Sequence, residues 1–140
     1  MKLANLVMIN AVVCIASGIA FSLYAPLMMA FFTVPDALDS PLSYWQVAAF
    51  ARMFGIAQVG LGLLLLAVRG SLDSIYPATR RGIISAMMLA NLLGAIVAIT
   101  QLFAVWQTPA GWITVTLFTV FFIAYAFFLA KSQNMSQNMS

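Results

Sequence analysis

The sequence contains no histidine, and its acidic residues are three aspartates, Asp36, Asp39 and Asp73, with no glutamate. These absences remove the usual axial ligand for haem or chlorophyll, the commonest zinc ligand and the usual proton-transfer group near neutral pH. Catalysis of a familiar acid–base or metal-assisted type is not expected, so the chain reads as a non-enzyme with no evident cofactor. Cys14 is the single cysteine, which makes an intrachain disulfide impossible. It lies in an apolar stretch, where a small buried hydrophobe is the default role. Charge is scarce as well. Only 6% of the 140 residues are charged, against about a quarter in soluble domains, and this excludes a water-soluble globule. The pair Arg80–Arg81 is too little for the clustered basic stripe of a nucleic-acid surface.

What the chain has in quantity is apolar sequence: 64% hydrophobic residues and a mean hydropathy of +1.05. It falls into four runs, at about 3–24, 44–68, 79–106 and 112–130. Each is long enough, at 1.5 Å per helical residue, for a hydrocarbon core of about 30 Å. The expected fold is all-α, a bundle of four transmembrane helices within a single domain over 1–131. Lys2 ahead of the first run resembles the start of a secretory signal. Asn5 and Asn10 interrupt that run and a small-residue cleavage site is poorly formed, so the segment reads as a retained helix.

Five basic residues, Lys2, Arg69, Arg80, Arg81 and Lys131, fall at the ends of spans on one side. The loop after the first span carries Asp36 and Asp39, and the link 107–111 carries no charge. The positive-inside bias then places both termini in the cytoplasm, most naturally at a bacterial inner membrane. Trp45, Trp106 and Trp112 lie at the outer ends with Tyr24 and Tyr44 nearby, as an interfacial belt requires, while Tyr76 and Tyr125 lie toward the inner side.

Pro26, Pro35 and Pro41 rule out one continuous helix over 24–43, and the apolar piece 27–32 is too short to cross. It is expected to lie in the outer interface or to cap the bundle. The short link 107–111 makes spans three and four antiparallel neighbours. Residues 132–140, a repeat of Ser-Gln-Asn-Met, read as a polar tail that does not fold alone.

Candidate sites lie inside the spans. In span two, Arg52, Gly55, Val59 and Gly62 share one helical face, with Gln58 beside them. Glycines let a neighbouring backbone approach, and an adjacent polar group can bond across the pair. The same face suits either close packing or a groove for a headgroup, quinone or other amphiphile. Cys14, Gly18 and Ser22 in span one, and Ala90, Gly94 and Ala98 in span three, repeat small residues at four-residue spacing. Asn10, Asn91 and Gln101 need hydrogen-bond partners within the apolar layer. Span four is rich in phenylalanine, with Phe118, Phe121, Phe122, Phe127 and Phe128, and is expected at the periphery with its aromatic side facing lipid, pigment or a partner.

The run Ala51-Arg52-Met53-Phe54-Gly55, continuing into Gly60-Leu61-Gly62-Leu63-Leu64, follows an outer loop and precedes a short basic inner loop. In these features the chain resembles the DoxX-like group of small four-helix membrane proteins. That resemblance implies the four-span topology and no particular reaction. The size also matches small multidrug transporters, but those use a glutamate in the first helix, and this sequence has none. The expected role is a non-catalytic subunit packed with other integral-membrane subunits and lipids in a larger complex, such as an energy-transducing or photosynthetic one, where it stabilises neighbours or shapes a lipid or quinone path. The alternative is a small amphiphile-binding or transport protein using the Arg52 face.

Overall fold

The computed structural model describes residues 2–34, 41–72, 74–106 and 108–137, with side chains as far as Ser132. Every regular element among them is helical: α1 (Leu3–Leu23), α2 (Ala25–Phe31), α3 (Pro41–Arg69), α4 (Pro77–Ala104) and α5 (Pro109–Gln137). Four of these, α1, α3, α4 and α5, are long and apolar enough to cross a membrane. At about 1.5 Å per residue, even the 21 residues of α1 reach about 30 Å. By length and composition this is an integral membrane protein.

Helices α3, α4 and α5 start two or three residues before the hydrophobic runs suggest, and each begins on a proline: Pro41, Pro77 and Pro109. The first helical position has no intrahelical use for an N–H, and the proline ring sets a helical φ in advance. Residues read as loop formers therefore open the helices. At its other end α5 runs beyond Ala130 to Gln137, into the segment expected to stay unfolded. It contains no glycine or proline after Gly111, and Lys, Gln and Met are good helix formers, so nothing local terminates it.

The chain divides into two compact units, Met1–Gly70 and Ser71–Ser140. In the first, α1 packs along α3. Moving forward along α1 from Ala11 through Gly18 to Ser22 corresponds to moving back along α3 from Gly62 to Gly55, so the two helices are antiparallel. Pro26 lacks the N–H that would continue α1, and the chain kinks at Tyr24 into α2. The apolar piece after the first span is thus a short helix, which turns Ala25 and Met29 inward against α1 and α3. Its end is a Schellman turn: Val34 N–H donates to Met29 O and Thr33 N–H to Ala30 O, with Thr33 at φ 56°. Phe32 then stacks on Phe21 (6.0 Å), which meets the edge of Phe54 (5.6 Å).

In the second unit α4 and α5 pair antiparallel, with Gly111 against Leu102, Phe118 against Gly94 and Ser132 against Arg81. The buried stripe of α4 is Ile84, Met87, Asn91, Ala95, Ala98 and Leu102. Its intervals of three and four residues keep it on one helical face. Opposite it, the phenyl ring of Phe118 lies over Gly94, and Phe121 and Tyr125 are buried. The inner aromatic side of α5 therefore faces its own helix partner rather than lipid, while Phe127 on the other side is exposed. A flat ring over a glycine fills the space that two medium side chains would otherwise share.

Candidate functional site

The span-two face resolves into a seam and two flanks. Gly55 and Gly62 are buried against α1. A Cβ on Gly55 would lie 2.6 Å from Gly18 O, and one on Gly62 would lie 2.8 Å from Ala11 O. Gly18 is equally confined, its missing Cβ 2.8 Å from the backbone nitrogen of Val59. Such spacing admits only hydrogen at these positions, and it brings polarised Cα–H groups against carbonyl oxygens across the pair.

A longer repeat underlies the seam. Ala11 and Gly18 on α1, and Ala48, Gly55 and Gly62 on α3, recur every seven residues and are all buried, while Ala25, seven further on, is buried past the Tyr24 kink on α2. A seven-residue interval returns a position to nearly the same helical face, with a drift of about 20° per heptad. Ala11, Ala25 and Ala48 were not among the sequence-level candidates. The seven-residue spacing of small residues, in place of the four-residue spacing, is the signal that would have found them.

Of the span-one candidates, Gly18 and Ser22 lie in the seam. The Ser22 hydroxyl donates to Gly18 O (2.7 Å), and its oxygen sits where a Cβ on Gly55 would go. Cys14 does not join them. It is half-buried, and its S–H donates within α1 to Asn10 Oδ1 at 3.5 Å. Gln58 stands on one flank, where its Oε1 accepts from the Ser17 hydroxyl (2.5 Å), a side-chain bond that joins α1 to α3.

Arg52 lies on the opposite flank. At 100° per residue it is about 60° around the helix from Gly55, and Gln58 is about 60° the other way. Its side chain is exposed, so it does not take part in the glycine seam with which the sequence grouped it. Asp36 and Asp39, the acidic residues of the neighbouring loop, lie outside the described residues.

In span three, Gly94 and Ala98 line the contact with α5, but Ala90 is exposed and does not belong to that seam. The inward position of that turn is Asn91, 100° further round, whose amide Nδ2 donates to Met87 O (2.7 Å). This back-bond satisfies a buried donor within the helix itself. Thr114 uses its hydroxyl in the same way, on Ala110 O.

At the other end of the second unit Arg81 Nη2 donates to the carbonyl of Ser132 (2.8 Å), fifty-one positions along the chain. Arg80 is half-buried, and its Nε is enclosed without a hydrogen-bond partner. What the site residues share is packing chemistry: glycines, small hydroxyls and amides joining helices in pairs, with cations at the margins.

Compared with protein-family models, curated proteins and solved structures, the chain has no match. The likeness to the DoxX-like group therefore stands on the residues quoted for it above.

Proposed function

We propose that this chain is a non-catalytic subunit of a larger integral-membrane assembly, with both termini on the cytoplasmic side of a bacterial inner membrane. One observation carries the reading. Helix α3 gives its glycine side to α1 and leaves a wide apolar surface, Phe50, Met53, Ile56, Leu63 and Leu64, exposed around a single exposed cation, Arg52. Arg52 is eleven residues into α3, about 16 Å from its start, and a cation within the apolar layer costs about 3 kcal/mol unless a counter-group meets it. Asp36 or Asp39 of the adjoining loop, or a carboxylate of a neighbouring subunit at that face, supplies one. In such an assembly the chain stabilises its neighbours and borders a lipid or quinone path.

The same exposed guanidinium supports a second reading, a small protein that binds or moves an anionic amphiphile along α3. Extraction in mild detergent, followed by native electrophoresis and mass spectrometry, separates the two. The subunit reading expects co-purifying membrane proteins that Arg52→Leu releases. A free monomer or homodimer that carries an amphiphile lost in Arg52→Leu supports the second reading and overturns the first.

A further inference from the structure

Antiparallel pairing of α4 with α5 brings three cations to one end of the second unit. Arg80 and Arg81 are in the opening turns of α4, and Lys131 is near the end of the apolar part of α5. Arg81 is held in place across the pair by its bond to Ser132 O, which engages one of the five guanidinium donors. Arg80 is half-buried, and its enclosed Nε has no partner. Lys131, next to the Ser132 anchor, is exposed. Tyr76, the residue before α4, is 83% exposed, an amphipathic ring of the kind that seats at headgroup level. Apolar helix begins immediately after the arginines, at Ile83 and Ile84, so these donors lie at the boundary between hydrocarbon and headgroups.

We propose that the joined ends of α4 and α5 bind the phosphate of an anionic phospholipid headgroup. Arg81 and the terminal Nη groups of Arg80, whose Nε is enclosed, supply N–H donors to its oxygens, and Lys131 adds a point charge. One acidic residue, Asp73, is near in sequence and outside the described residues. Its single charge leaves the end of the pair cationic. A cluster of cations fixed across two helix ends differs from a simple topology determinant if it retains a lipid rather than merely facing a leaflet. The site stands whether or not the chain belongs to a larger assembly.

The test uses the full chain in nanodiscs of mixed phosphatidylglycerol and phosphatidylcholine, with retained lipid counted by native mass spectrometry. Phosphatidylglycerol should be retained in preference. Arg80→Gln and Lys131→Gln, which leave the Arg81–Ser132 bond in place, should each reduce its retention about fivefold. Lys2→Gln, at a different helix end, should not. Equal retention of both lipids, or an equal loss in Lys2→Gln, overturns the site in favour of general surface potential. Inorganic phosphate is the second probe. If it binds in phosphatidylcholine discs with the same arginine dependence and displaces phosphatidylglycerol, the site is one for free phosphate and the lipid assignment fails.

Discussion

Gly18 and Gly55 face each other across the antiparallel α1–α3 pair, each occupying the space a side chain on the other would need. A Cβ on Gly18 would come within 2.7 Å of Gly55 O, and one on Gly55 within 2.6 Å of Gly18 O. Neither obstacle is a flexible side chain that can swing away. The helices themselves must part.

Gly55→Ala and Gly18→Ala should therefore each destabilise the protein by about 1–3 kcal/mol, the cost of overpacking a tight contact. Gly60→Ala is the internal control. A Cβ there meets nothing within 4 Å, so the change should be neutral or stabilising by up to about 1 kcal/mol through helix propensity. Denaturation in detergent, followed by circular dichroism, measures all three. Equal effects at Gly55 and Gly60 would remove the seam as the reason for these glycines.

The Ser17–Gln58 bond joins the same helices a turn away from the glycine contact. Ser17 has a second acceptor at Val13 O, 2.7 Å away, so losing Gln58 still leaves its hydroxyl bonded. Ser17→Ala and Gln58→Leu should each cost less than about 1 kcal/mol, with a coupling near 0.6 kcal/mol in a double-mutant cycle. Zero coupling would show that the bond adds nothing to pairing.

Thr33 holds a left-handed φ of 56° to close the Schellman turn after α2. A β-branched residue is costly there, and glycine is the usual occupant. Thr33→Gly should stabilise the unit by about 0.5–1 kcal/mol, the relieved strain being partly offset by a freer unfolded chain and by the lost Thr33 hydroxyl bond to Phe32 O. Thermal unfolding of the two forms, compared at one detergent concentration, reads the sign directly.

Orientation in the membrane is tested by impermeant thiol labelling in a Cys14→Ser background. A cysteine at Ser40 should label in intact cells, and one at Ser74 should label only after the cells are opened. The reverse pattern would mean that the chain is inserted with its termini outside, against the distribution of Lys2, Arg69, Arg80, Arg81 and Lys131.

The four long helices were legible in the sequence because their signal is local. Without water, each backbone N–H and C=O must be satisfied within its own segment, so a long apolar run becomes a helix whatever its neighbours are. The absence of histidine and glutamate likewise narrows the chemistry before any fold is known. Helix boundaries were less legible, since Pro41, Pro77 and Pro109 stop a helix from the inside but start one from the outside. Partner choice was legible where the link is short, since 107–111 made spans three and four antiparallel neighbours and α4 does pack on α5, but which face makes each contact was not. Arg52, Gly55 and Gly62 fall within about 80° of one another on a helical wheel, yet α1 covers the two glycines and leaves the arginine exposed. Ala90 and Ala98 belong to one four-residue series, yet α5 covers the second and not the first. A small residue states that a close approach is possible, and the approach itself is made by another helix. Composition and spacing thus determined that this protein is helical and suited to a membrane. The antiparallel registers of α1 with α3 and of α4 with α5 decided which small residues are seams, because a helix face acquires its role from the surface packed against it.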